Sequence, residues 1–173
     1  QEELIQSTRI FHFGTLSMTH EGVREATKKA LDVAKASGAM ISFDPNLREP
    51  LWKSLDEAKE QVLYGLQYAD ILKISDNEIQ WLTGEEDYTE GVKKIREMKD
   101  TPLILVSMGK EGSRAYYKDM IVEVKPFLQE NTIETTGAGD TFCANVLNYV
   151  LENGLEDLTA EGLEEMLTFA NAA

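Results

Sequence analysis

Glu134-Thr135-Thr136-Gly137-Ala138-Gly139-Asp140-Thr141-Phe142 runs straight into an apolar helical pattern. Two glycines flanking an alanine let the backbone come close to a bulky anion, because no large side chain shields the N–H groups. If a helix begins near Asp140, those N–H groups and the positive end of its dipole converge on one point. That point suits a phosphate, or the negative charge that builds up during phosphoryl transfer. A carboxylate beside it can take a proton from an attacking hydroxyl. Asp140 is therefore the candidate general base, and Gly137, Ala138 and Gly139 the candidate backbone donors. The plainer alternative is a turn closed by Asp140 as an N-cap. A β-branched residue at Gly139 is expected to crowd the anion and to resist any left-handed backbone angle the turn requires.

Outward from this junction, short apolar strands alternate with helical patterns. Strands are predicted over Ile10–Phe13, Met40–Phe43, Ile71–Ile74 and Leu103–Ser107, with a hairpin of Ser113–Tyr117 and Ile121–Lys125 around Lys118-Asp119. Helices are predicted over Glu21–Ser37, Leu55–Tyr68, Asn77–Leu82, Glu90–Met98, Asp140–Leu151 and Glu161–Ala173. Such alternation indicates an α/β fold with a mainly parallel sheet flanked by helices. No repeat or linker interrupts it, so residues 1–173 are read as a single domain. Polar loops follow three of the strands, at Asp44, Ser75 and Gly109. Ligands of open α/β sheets bind at the carboxyl ends of strands, so these loops stand where a site forms.

Composition narrows the function. Seventeen Lys and Arg against 31 Asp and Glu give a net charge of −14, against the basic stripe that nucleic-acid binding needs. Phosphate binding then relies on local donors, a helix dipole and Mg²⁺. No run of eighteen apolar residues offers a membrane span. Gln1-Glu2-Glu3-Leu4 lacks the features of a signal peptide, and a single cysteine makes no internal disulfide; both suit a cytoplasmic location. There is no zinc spacing, and Gly109-Lys110 is followed by Glu111 where a Walker sequence needs Ser or Thr.

Asp44, Asn46 and Arg48 form a polar cluster in a loop held by Pro45 and Pro50. Arg48 can contact a hydroxyl or a phosphate through its rigid fork of donors. The alternative is a loop ion pair between Asp44 and Arg48. His12, inside a predicted strand, reads as a satisfied core imidazole, and Phe142 and Cys143 as helix packing residues.

Six segments in order resemble the ribokinase-like carbohydrate kinases: Phe11-His12-Phe13-Gly14, Phe43-Asp44-Pro45-Asn46-Leu47-Arg48, Lys73-Ile74-Ser75-Asp76-Asn77-Glu78, Ser107-Met108-Gly109-Lys110-Glu111-Gly112, the Gly137–Asp140 stretch and Asn171-Ala172-Ala173. The Asp-Pro-Asn-Leu-Arg form, with Leu51-Trp52 soon after, is most similar to the fructokinase branch. The resemblance implies a ribokinase-like, Rossmann-like three-layer fold. It also implies ATP-dependent phosphorylation of a sugar primary hydroxyl, with fructose as the acceptor, ATP and Mg²⁺ as cofactors, and sugar and ATP as small-molecule partners. A 2-keto-3-deoxygluconate kinase resembles the Asp44–Arg48 loop as well, and a nucleotide-binding scaffold without turnover is the rival from another class.

By the same resemblance Ser75, Ser107, Gly109, Lys110, Gly112 and Asn171 serve the nucleotide, Asp44, Asn46 and Arg48 the sugar, and Glu78 the Mg²⁺ through water. A solvated helix-start carboxylate is the plainer reading of Glu78. Ser75 and Glu134 depart from the Asn and Asp of many relatives, and the second departure puts a monovalent cation in question. Relatives carry an N-terminal lid and further C-terminal helices that this sequence does not contain. The implied state is a kinase core lacking its lid and inactive alone; relatives often use that lid as a dimer contact, which leaves a homodimer open for the complete protein.

Overall fold

In the computed structural model, residues 1–127 and 137–173 are described. Four parallel strands lie side by side in chain order: β1 (Ile10–Gly14), β2 (Met40–Asp44), β3 (Ile71–Ser75) and β4 (Leu103–Ser107). A hairpin of β5 (Ser113–Tyr117) and β6 (Met120–Val124) extends the same sheet antiparallel from β4. The hairpin turns on Lys118-Asp119 as predicted, with its second strand starting one residue early, and Lys118 adopts φ +51°. A two-residue turn needs such a left-handed angle to match the twist of its strands.

Strand periodicity sorts the sheet into two cores. On one face Phe43, Leu72, Ile74 and Ile104 pack with Leu31 of α2 (Glu21–Ala36), Val62 of α3 (Leu55–Leu66) and Ile79 of α4 (Asp76–Thr83); α5 (Tyr88–Met98) adds Val92. On the other, Ile71, Leu105 and Tyr117 pack with Val146 and Val150 of α6 (Ala138–Asn153) and Leu163 and Leu167 of α7 (Ala160–Ala172). The result is the expected three-layer α/β arrangement. A short first helix, α1 (Glu2–Gln6), was not foreseen; it buries no residue, and Glu2 pairs with Lys29 of α2 at 2.5 Å. Its five residues are too few to show a helical apolar period.

Caps explain most boundary shifts. The Asp87 side chain accepts from Glu90 N at 2.9 Å, so α5 begins at Tyr88, ahead of the predicted Glu90. α4 starts from a capping box between Ser75 and Glu78 and stops at Gly84, which has φ +76°. The largest shift is in α6: the helix starts at Ala138, and its cap is Gly137 with φ +83°. Asp140 is thus the third residue of the first turn, and the N-cap alternative is overturned. Among the described residues no helix is long and apolar enough to cross a membrane.

Candidate active site

The carboxyl ends of β1, β2 and β3 and the first turn of α6 meet at one place. The period-two pattern that turns Leu72 and Ile74 toward α3 turns Lys73 toward α6, where a charged side chain enters a core face. Its ammonium pairs with Asp44 Oδ2 at 3.0 Å, and the two side chains are 8% and 5% exposed. Asp44 Oδ1 also accepts from Asn46 N at 3.1 Å, and this turn carries Asn46 to φ +46°. Arg48 is exposed and donates only to Leu47 O among the described residues. The alternative of a loop ion pair between Asp44 and Arg48 is therefore ruled out, because the buried carboxylate finds its cation on the neighbouring strand.

Gly139 explains itself through the same lysine. A Cβ there would lie 3.2 Å from Lys73 Nζ, so a side chain would collide with the ammonium or displace it. The left-handed residue of this turn is Gly137, so it is close approach, and not a left-handed angle, that requires glycine at position 139. The first N–H groups of any helix have no intrahelical acceptor, and those of Ala138, Gly139 and Asp140 begin α6.

Two clefts flank the Asp44–Lys73 pair. One, of about 600 Å³, is lined by His12, Gly14, Asp44, Asn46 and Asp140. The other, of about 300 Å³, is lined by Asn46, Arg48, Lys73, Ser75 and Glu78. Asp140 is exposed in the first, positioned to reach a bound molecule. His12 lines it too and is not a core residue; its Nδ1 lies 3.0 Å from Ser42 Oγ. Burial lowers the His12 pKa, the Asp140 carboxylate opposes that shift and the Lys73 charge adds to it. Phe142 and Cys143 are buried packing residues, as expected, and burial pushes the Cys143 thiol up to about 11.

Glu78 differs from the solvated carboxylate of the plainer reading. It is 8% exposed, with Oε1 accepting from Leu47 N at 2.7 Å and Oε2 from Ser75 N and Oγ at 2.9 and 2.8 Å. The carboxylate thus ties the Asp44–Arg48 loop to the start of α4. No group of three or more His, Cys, Asp or Glu able to hold a metal occurs among the described residues. A cation here would need oxygens from phosphate and water, the usual way Mg²⁺ is held beside nucleotides.

Ser107, Gly109, Lys110, Gly112 and Asn171 line neither cleft. Ser107 pairs in register with Ser75, so the loop after β4 adjoins the second cleft. Gly112 has φ +104°, and a Cβ there would stand 2.2 Å from Val124 O. Lys110 is exposed. Asn171 accepts from Ser113 Oγ at 2.8 Å and donates to Val124 O and Lys125 O at 3.2 and 3.3 Å, tying α7 to the hairpin. Glu134 and Thr136 lie outside the described residues. Lys73 and His12 are the residues sequence reasoning passed over as site members. The signal for Lys73 was a lone cation inside Ile71-Leu72-Lys73-Ile74.

Asp44 yields a pH prediction. Burial raises its pKa from 3.8 to about 6, against the pull of Lys73, with Glu78 adding to the rise and Asn46 N opposing it. In that window the folded chain holds a proton that the unfolded chain releases, so Asp44 subtracts stability as pH climbs from about 4 through 6. In urea unfolding, Asp44→Asn is expected to gain stability relative to wild type over this interval. A difference that stays flat or falls would mean that Asp44 ionises without penalty.

The profile described as "pfkB family carbohydrate kinase" matches residues 1–173. An Arabidopsis thaliana protein described as "Probable fructokinase-2" is 41% identical over 170 residues, covering 98% of this chain and 51% of that protein. The chain thus spans about half the length of the curated relatives it matches. Among solved structures, fructokinase from Vibrio cholerae O395 in a fructose-, ADP- and calcium-bound form superposes with a TM-score of 0.84 at 28% identity, over 99% of this chain and 56% of that one. Aminoimidazole riboside kinase from Salmonella enterica, complexed with aminoimidazole riboside and an ATP analog, gives 0.81 at 25% identity over 94% and 54%.

Proposed function

This chain belongs to the pfkB family of carbohydrate kinases, and from that premise we propose that the complete protein transfers the γ-phosphoryl group of ATP to the primary hydroxyl of fructose. The observation that carries the reading is the position of Asp140 on the first turn of α6, exposed in a cleft that also contains Asp44 and Asn46. The relative named as a fructokinase and the fructose-bound neighbour support the choice of sugar. The Asp-x-Asn-x-Arg form of the Asp44–Arg48 loop keeps 2-keto-3-deoxygluconate as the alternative acceptor.

In this reading the sugar occupies the larger cleft and extends past Asn46, which lines both clefts, toward Arg48, and the Asp140 carboxylate accepts the proton of the attacking hydroxyl as the new phosphorus–oxygen bond forms. The N–H groups that open α6 receive the charge on the phosphoryl oxygens, in a site that needs no reorganisation to do so. Ser75, Ser107, Gly109, Lys110 and Gly112 serve the nucleotide along the adjoining strand ends. Asn171 serves it indirectly, by holding α7 against the hairpin beside that loop. The turn, open at Gly137 and lying above a buried ammonium, has the chemistry to receive an anion. Bound Mg²⁺ would neutralise phosphate charge, and Glu78 would orient its water shell.

A panel of sugars with ATP and Mg²⁺ on the complete protein, followed by ADP release, tests this. Fructose is expected to stimulate release most strongly. Preference for 2-keto-3-deoxygluconate would select the alternative, and no response to any sugar would favour a scaffold without turnover.

Arg48 offers a narrower test. Its guanidinium is exposed beside the smaller cleft and carries no ion pair among the described residues. Arg48→Ala is expected to raise KM for the sugar or lower kcat while leaving thermal stability nearly unchanged, since exposed positions contribute within about 0.5 kcal/mol. Loss of stability with unchanged kinetics would make Arg48 a loop-shaping residue only.

A further inference from the structure

A buried ion pair is seldom the most stable way to fill a core, because desolvation offsets much of the attraction; apolar residues of similar volume often do as well or better. The Asp44–Lys73 pair sits where such a replacement would be easy, between β2 and β3 and beneath an apolar helix. Its location is stranger still. Lys73 Nζ lies 3.2 Å from where a Gly139 Cβ would stand, close under the first turn of α6. That end of a helix carries about half a positive charge, so the lysine confronts a like charge. Asp44 offsets the conflict in part, and an anion bound on the turn would relieve the remainder. The pair also separates the cleft containing Asp140 from the one containing Ser75 and Glu78. A phosphoryl group moving from the nucleotide to the acceptor would cross above it.

We infer that Lys73, anchored by Asp44, is a positioning residue that makes the first turn of α6 selective for a phosphoryl anion, an inference that rests on the proposed kinase reading. The ammonium supplies a full positive charge behind the backbone donors of the turn. It favours the anion more as negative charge accumulates in the transition state. Gly139 is glycine so that the ammonium can come this close.

The test uses the complete protein and the double variant Lys73→Met/Asp44→Asn, which removes both charges together, with Lys73→Gln as a second variant. Apo thermal stability of the double variant is expected to match or exceed wild type. Stabilisation by ATP with Mg²⁺ is expected to shrink, and kcat with fructose to fall on the order of 10²-fold. A purely structural pair would show the reverse pattern, a lower apo Tm with the nucleotide-induced shift and kcat intact, and that result overturns the inference. If the double variant does not fold, Lys73→Gln, whose apo stability falls because Asp44 loses its cation, is read on the nucleotide-induced shift and kcat alone, and both intact would overturn the inference. Wild-type protein that binds ATP but phosphorylates no sugar would sink the kinase reading alone. Calorimetric ATP titration would still decide on Lys73, with at least tenfold weaker binding in the variant expected and equal binding contradicting it. Wild-type protein that does not bind ATP would overturn both.

Discussion

Asp140→Asn in the complete enzyme is expected to lower kcat by about 10²–10⁴-fold, the contribution of a positioned general base. The substitution keeps the shape of the side chain and its place in the first turn of α6 while removing its capacity to accept the hydroxyl proton. Because Asp140 is the third residue of that helix and Gly137 is its cap, the change removes no side-chain cap. Asp140 is also exposed, so folding should be little affected. ATP affinity is expected to change little, since the carboxylate faces the cleft of His12, Asp44 and Asn46. Steady-state kinetics with saturating fructose gives the comparison. Wild-type turnover in the variant would remove Asp140 from the mechanism.

Gly139→Val is expected to abolish phosphoryl transfer by another route. An added Cβ at 3.2 Å from Lys73 Nζ and 3.8 Å from Cε forces either the ammonium or the turn to move, and a branched side chain adds bulk beside the anion. Displacing the ammonium would also leave the Asp44 carboxylate buried without its cation, a loss of about 3–5 kcal/mol for pairs of this kind. Gly139→Ala should retain partial activity, because one methyl demands a smaller shift. Paired measurements of kcat and of Tm separate the site effect from the folding effect. A Val variant that folds and turns over normally would show that the backbone of this turn does not bind the phosphoryl group.

The fold was legible because its signals are local. Apolar strands such as Leu103–Ser107, helices ended by Gly38 or Gly84, and a hairpin around Lys118-Asp119 each carry their own chemistry in a few consecutive residues. The loops at Asp44, Ser75 and Asp140 could be placed on one side of the sheet because α/β strands present their carboxyl ends together. What escaped was set by contacts distant in sequence. Lys73 looked like a solitary cation in a strand, and only the pairing of β2 with β3 gives it Asp44 as partner. The same pairing explains why Arg48 is left free of Asp44. The beginning of α6 was placed two residues late because Asp is a common N-cap, whereas here the left-handed Gly137 fills that position. His12 was read as a core residue because strand periodicity alone does not tell a covered sheet face from a cleft.

The central claim is that the first turn of α6 and Asp140 carry ATP's γ-phosphoryl group to a sugar's primary hydroxyl. The most direct measurement is phosphorus–proton NMR of the product formed by the complete protein from fructose, ATP and Mg²⁺. The account predicts ADP together with a sugar phosphate whose phosphorus couples to the two protons of a terminal methylene. Phosphorus coupled to a ring methine proton, or free inorganic phosphate with unmodified fructose, would contradict it.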